Sequence, residues 1–192
     1  MKIKLPETLN DLTLSQYINF VKVAETIKDD GSIESTLNTY KLIEILCGVS
    51  EEEIDSLTLP EMAELTAAAK ILIDEFTGFS QENKAFEIDG TLYCARKMEE
   101  LDNGEYISLN ILKEQHGGDL YTLFPKLLAI LIRPGQEVKD EETGETYYQI
   151  EKFNRRDMAN LEWRANLFLE KAKASDVIPV INFFLNMKEQ SV

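Results

Sequence analysis

Lys84-Ala85-Phe86-Glu87-Ile88-Asp89-Gly90-Thr91-Leu92-Tyr93-Cys94 is the stretch whose reading decides the fold. An Asp-Gly pair between two alternating segments marks a β-hairpin, because both central residues of a type I′ turn need φ > 0. With Asp89-Gly90 as a two-residue loop, Ile88 pairs with Thr91 and Phe86 with Tyr93, so Phe86, Ile88 and Tyr93 share one apolar face. That face must dock on helices, since an isolated hairpin is marginal in water. The rest of the chain reads as helix. The fold class is therefore mainly α with a small hairpin (α+β), a bundle-like helical core carrying a hairpin at 85–95. Residues 1–80 form an N-terminal helical region and 81–192 a hairpin plus C-terminal helical region, read together as one continuous domain.

Working outward, helix starts are marked by Thr13 with Gln16, Ser50 with Glu53, and Thr58 with Glu61, each spaced for a capping box. They predict helices over 14–28, with Tyr17, Phe20, Val21 and Ala24 inward, over 51–56, and over 59–76. Between the first two, a helix over 33–47 places Leu37, Tyr40, Ile43 or Glu44, and Cys47 at helical spacing. Gly48 follows as its C′ residue. Asp29-Asp30-Gly31 stops the first helix, and Pro60 sits in the first turn of the last.

Beyond the hairpin, 105–115 reads as a short amphipathic helix broken by Gly117-Gly118. The segment 119–133 is apolar nearly all round, and so is either core or a partner surface. Pro125 lies either in the first turn of a helix starting near Leu123 or inside a longer one, and Pro134-Gly135 ends it. Residues 136–151 are acidic and turn-rich around Thr143-Gly144, either a second hairpin at 136–150 or a mobile loop. Met158, Leu161, Ala165, Phe168 and Ala172 then mark a helix around Trp163. Asp176 is expected to cap a final helix over 177–188, dense in apolar residues, with Pro179 in its first turn.

The 192 residues carry a formal charge of −15 with 44 % apolar content, enough for a core. That charge opposes direct nucleic-acid or anionic-membrane binding, which needs clustered Lys and Arg. Two cysteines, Cys47 and Cys94, in apolar surroundings fit a reduced, cytosolic compartment. The longest apolar run, 127–132, is too short to span a bilayer, and the N-terminus lacks the apolar core of a signal peptide.

No catalytic signature emerges, so the reading is non-enzymatic, with no cofactor and no metal site. His116 is the single histidine and stands beside Gly117-Gly118 without cysteine or acid at ligand spacing. The acidic runs 51–55 and 140–142 fit a helix N-terminus and a soluble loop, and lack the spacing of a calcium loop. Arg96-Lys97 and Arg155-Arg156 read as surface ion-pair donors in preference to phosphate clamps. Residues 152–173 nevertheless hold 6 basic and 3 acidic side chains, against 6 and 15 in residues 1–80. A positive strip through Arg155, Arg156 and Arg164, beside Trp163, could face an acidic neighbour, or be a solvated face with local ion pairs such as those of Glu162. The final helix offers Val180, Phe183 and Phe184 as a surface buried either in the core or against a partner or another copy.

Leu9-Asn10-Asp11-Leu12-Thr13-Leu14-Ser15-Gln16-Tyr17, Ile43-Glu44-Ile45-Leu46-Cys47-Gly48-Val49-Ser50-Glu51-Glu52-Glu53-Ile54 and Leu57-Thr58-Leu59-Pro60-Glu61-Met62, followed by a strand with Asp-Gly and Tyr, form one ordered pattern. Over residues 9–112 that pattern resembles small proteins of tailed-bacteriophage morphogenesis modules, notably tail assembly chaperone-like proteins. The resemblance carries no catalytic residue. It implies a protein that joins or holds other phage structural proteins or copies of itself, in the host cytoplasm during assembly or in the virion. It does so transiently as a tail or head–tail assembly chaperone, or permanently as a ring, collar or cargo component. Competing classes are an acidic inhibitor that mimics nucleic acid and a metal-dependent enzyme using the acidic runs.

Overall fold

The computed structural model describes residues 3–8, 11–26, 33–74, 85–97, 100–115 and 120–186, with the side chains of 33–36, 72–74, 115, 120 and 182–186 excepted. The chain divides into two compact units, Met1–Gly78 and Phe79–Val192.

The first unit holds α1 (Leu14–Ala24), α2 (Ile33–Cys47), α3 (Glu51–Asp55) and α4 (Leu59–Asp74). All three expected capping boxes form. Gln16 N–H donates to Thr13 Oγ1 at 3.2 Å and Thr13 N–H to Gln16 Oε1 at 3.0 Å. Ser50 with Glu53 and Thr58 with Glu61 repeat the exchange, the backbone N–H of each cap residue reaching the carboxylate at 2.9 Å. Each box satisfies amides that a helix start leaves without partners. Gly48 has φ +63°, the left-handed conformation its C′ position requires. Gln16 serves twice, since its Nε2 donates to Ile45 O at 3.3 Å and ties α1 to the end of α2.

Two expectations need correction here. The first helix ends at Ala24, where Thr26 Oγ1 donates to Val23 O at 2.7 Å; Lys28 and the Asp29-Asp30-Gly31 stop lie outside the described residues. The buried face of α2 is Leu42, Ile43 and Leu46, while Leu37 is exposed. Leu42 and Leu46 are four apart and Ile43 sits between them on the same face, so the stripe is one position removed from the one expected. On α1, Leu14, Tyr17, Ile18 and Phe20 are buried, and the 59–76 helix is described to Asp74.

The second unit is built on a four-stranded antiparallel sheet of order β1-β2-β3-β4, with β1 (Ala85–Ile88), β2 (Thr91–Ala95), β3 (Ile132–Lys139) and β4 (Thr146–Ile150). The first hairpin has the expected register, Phe86 opposite Tyr93 and Ile88 opposite Thr91, with Asp89 at φ 50° and Gly90 at φ 76°. Its aromatic face docks on α7 (Met158–Lys171). Tyr93 meets Phe168 edge-on at 5.2 Å and stacks with Phe86 at 6.0 Å. Rings so placed contribute about 0.5–1.5 kcal/mol per pair beyond their buried area.

Residues 136–150 are a hairpin and not a loop, and the two hairpins join into one sheet through Cys94 opposite Arg133 and Tyr93 opposite Pro134. Pro134-Gly135 therefore does not act as the helix stop. The helix α6 (Leu120–Leu131) passes into β3 at the next residue, and Pro134 and Gly135 lie within the strand. Pro134 is tolerated because its missing N–H falls at the last rung of the β3–β4 ladder, where Glu151 N–H still donates to Pro134 O at 2.9 Å.

Pro125 lies inside α6, six residues in. Leu123, Phe124 and the whole run 127–132 are buried, so this segment is core. It packs against α5 (Asn103–Gln115), α7 and α8 (Ala174–Asn186). α8 starts two residues before the expected cap. Asp176 occupies its first turn and Pro179 its sixth position, and Asp176 there still faces the positive helix end. His116, Gly117-Gly118 and Lys188 lie outside the described residues. Among the described residues no helix is long and apolar enough to cross a membrane.

Candidate interaction surface

The β3–β4 hairpin is held at its base by a buried charged cluster. Glu105 and Arg133 are 0 % and 2 % exposed and form an ion pair through Glu105 Oε1, with Arg96 Nε on the same oxygen at 3.5 Å. The other carboxylate oxygen accepts from Asp102 N–H at 2.6 Å, and Asp102 Oδ1 accepts from Glu105 N–H at 2.9 Å, so Glu105 caps α5 while pairing with β3. Arg133 also lies over the ring of Phe153, 5.6 Å from its centroid. Burial pushes the Arg133 guanidinium down and Glu105 pulls it back up. Arg133 precedes the arm and Phe153 follows it, so this cluster clamps both feet of the hairpin. Next to it, a Cβ on Gly135 would stand 2.8 Å from Cys94 Sγ and 3.2 Å from Gln149 O. Only glycine lets β3 pass so close to β2 and β4.

Beyond Gly135 the arm leaves the core. From Gln136 to Gln149 most residues are exposed, and successive Tyr147 and Tyr148, which point to opposite faces, are 50 % and 37 % exposed. The tip is ordered by its own hydrogen bonds. Asp140 Oδ1 accepts from the N–H groups of Glu142 and Thr143 at 2.8 Å each, which lowers the Asp140 pKa, and Gly144 turns at φ +73°. Gln136 Nε2 donates to Gln149 Oε1 across the strands at 2.8 Å.

At the arm's foot lie Lys152, Arg155 and Arg156, all exposed, followed by Asp157, whose Oδ1 caps α7 by accepting from Asn160 N–H at 3.1 Å. The sequence-derived positive strip is shorter than expected. Arg164 is buried and its Nε donates to Ala129 O at 2.9 Å, so it anchors α7 to α6 and takes no part in an exposed strip. Burial lowers its pKa most, with Glu151 acting in the other direction. Lys171 pairs with Asp89, and Glu162 with Lys126 at 2.8 Å, so these pairs join α7 to other elements and are not local pairs along one helix face. Arg96 and Lys97 pair with Glu100, each at 3.8 Å.

Trp163 is 56 % exposed on α7 and Val180 is half-buried on α8. The side chains of Phe183 and Phe184 lie outside the described residues. The structure thus gathers Arg155 and Arg156 with the foot of the arm, and separates Arg164 from them by burying it.

Neither the Glu105–Arg133 cluster nor the arm edge was among the residues singled out from sequence. Asp102-x-x-Glu105 has capping-box spacing, the one available signal. Arg133 stands at the end of an apolar run, and nothing in its sequence neighbourhood marks it as the partner of Glu105.

Nothing matches. Comparison with family models, curated proteins and solved structures returned no similar protein for this chain. Its surface chemistry therefore has to be argued from these residues. The hairpin combines a clamped foot, a tip ordered by short-range hydrogen bonds and two faces in solvent.

Proposed function

We propose that this chain is a non-enzymatic protein of tailed-phage virion assembly that works through protein–protein contacts, in the host cytoplasm and in the assembling particle. The observation that carries the reading is the two-faced arm, residues 136–149, set on a buried ion-pair clamp. An arginine and a glutamate removed from water at the arm's base are a costly arrangement, and such buried pairs serve in some proteins to specify one geometry. The order of capped helices and Asp-Gly hairpin that resembles phage tail assembly proteins supplies the context. Exposed tyrosines flanked by acidic residues supply the contact chemistry, because tyrosine buries large area at low entropic cost.

Quantitative mass spectrometry of purified particles and of infected-cell lysate tests the proposal. A fixed, integer-like ratio to the portal protein identifies a built-in ring, collar or cargo component. Abundance in lysate with absence from particles identifies a transient chaperone. No association with particles or their assembly intermediates refutes the proposal.

A further inference from the structure

We infer that the outer edge of β4 is a strand-pairing site for β4 of a second copy, joined antiparallel. This rests on reading the second unit as a contact module, but the two can fail separately, since the test below uses the purified chain alone.

The ladder identifies which groups are free to pair. Asp140 N–H donates to Glu145 O at 2.8 Å and Glu151 N–H to Pro134 O, so residues 145, 147, 149 and 151 direct their backbone groups toward β3. By alternation, Thr146, Tyr148 and Ile150 direct theirs away from β3, along the edge of the sheet. That edge, Thr146-Tyr147-Tyr148-Gln149-Ile150, is exposed over its first four residues and carries no charge, proline or bulge. Edge strands ordinarily carry such devices, because an unprotected edge is a template for another strand. High-propensity Thr, Tyr and Ile make this one a better template still.

Charge selects the occupant and its direction. The tip of the arm carries Asp140, Glu141, Glu142 and Glu145, while its foot carries Lys152, Arg155 and Arg156 against Glu151 and Asp157, so the tip is acidic and the foot has a basic excess. None of the three basic side chains has an ion pair among the described residues. Antiparallel addition of a second β4 sets each acidic tip beside the other copy's Lys152, Arg155 and Arg156, twice over, which outweighs the one like-charge pair of each half, Glu145 opposite the other copy's Glu151. Parallel addition would set tip against tip, and like charges in register are destabilising. The contact is isologous, so it closes at a dimer. At long range two copies repel, each with a formal −15, but that field is screened within about 8 Å at physiological salt while the tip-to-foot pairs act at contact.

Sedimentation velocity of the purified chain over a concentration series tests the inference. The pairing strand is short and the area falls below ~1,200 Å², so the expected Kd is on the order of 10 μM. In hydrogen exchange, the amides of Thr146, Tyr148 and Ile150 should gain protection as concentration rises, while those of Tyr147 and Gln149 stay unchanged. Tyr148→Pro removes one outward N–H without touching the ladder and should abolish the dimer; Tyr148→Val keeps the N–H and should retain it. Glu141→Lys/Glu142→Lys and Arg155→Glu/Arg156→Glu should each weaken self-association about tenfold or more, and the two variants mixed should form a heterodimer. A chain that stays monomeric at ~1 mM, a dimer that survives Tyr148→Pro, or charge variants that fail to pair with each other would each overturn the inference.

Discussion

Glu105→Ala should destabilise the second unit far more than an ordinary surface-acid deletion. It leaves Arg133, 2 % exposed, with only Ile130 O at 3.4 Å as a remaining acceptor and the ring of Phe153 beneath it. Breaking a buried pair by removing one partner costs about 3–5 kcal/mol, and the lost bond to Asp102 N–H adds about 1 kcal/mol for the cap. Arg133→Met should cost less, about 2–3 kcal/mol, because Arg96, 3.5 Å from the same oxygen and 24 % exposed, can still compensate Glu105. The double variant Glu105→Leu/Arg133→Met removes both charges and should cost less than the sum by at least ~2 kcal/mol. Urea unfolding followed by circular dichroism measures the cycle, and amide exchange over 132–138 assigns the loss to the arm's foot. Single substitutions costing under ~1 kcal/mol, or an additive double variant, would refute the clamp.

Gly135→Ala drives a methyl against Cys94 Sγ at 2.8 Å and should cost about 1–3 kcal/mol by thermal melting; Cys94→Ala should restore part of it, the contact with Gln149 O at 3.2 Å remaining. Burial raises the pKa of both thiols, and Cys94 is fully buried while Cys47 is not, so a thiol reagent at pH 7 should label Cys47 first and Cys94 only on unfolding. Tyr17 is pushed up to about 12 by burial. Between pH 10 and 12 the unfolded chain has lost that proton and the folded chain has not, so stability present below pH 10 falls as pH rises, by up to about 3 kcal/mol. Spectrophotometric titration at the phenolate band checks it, with Tyr17→Phe removing part of the late-titrating component and Tyr93, also raised by burial, supplying the rest.

Local chemistry was the legible part of the sequence. Capping boxes at Thr13, Ser50 and Thr58 involve residues three apart, and the Asp89-Gly90 turn fixes its own register, so each could be read without knowing what packs nearby. Sheet assembly was not legible, because the pairing of β2 with β3 depends on Gly135 passing over Cys94, a contact between residues 41 apart in sequence. The same holds for the surface. Arg164 looks like its neighbours Arg155 and Arg156 in a charge count, yet only the packing of α7 on α6 removes it from solvent. A turn of helix also starts before Asp176 because Asp176 N–H finds Lys173 O, a local alternative that an N-cap preference does not rank.

The proposed role rests on the arm, and shortening it is the most direct measurement. Replacing residues 137–148 by Asn-Gly keeps the foot and the Arg133 clamp, and closes the hairpin in a favoured turn flanked by the hydrogen-bonded pair Gln136 and Gln149. Supplied in place of the natural protein during infection, a folded and abundant arm-shortened chain should yield no mature particles while unassembled components accumulate. Particle yield equal to that of the natural protein would contradict the account.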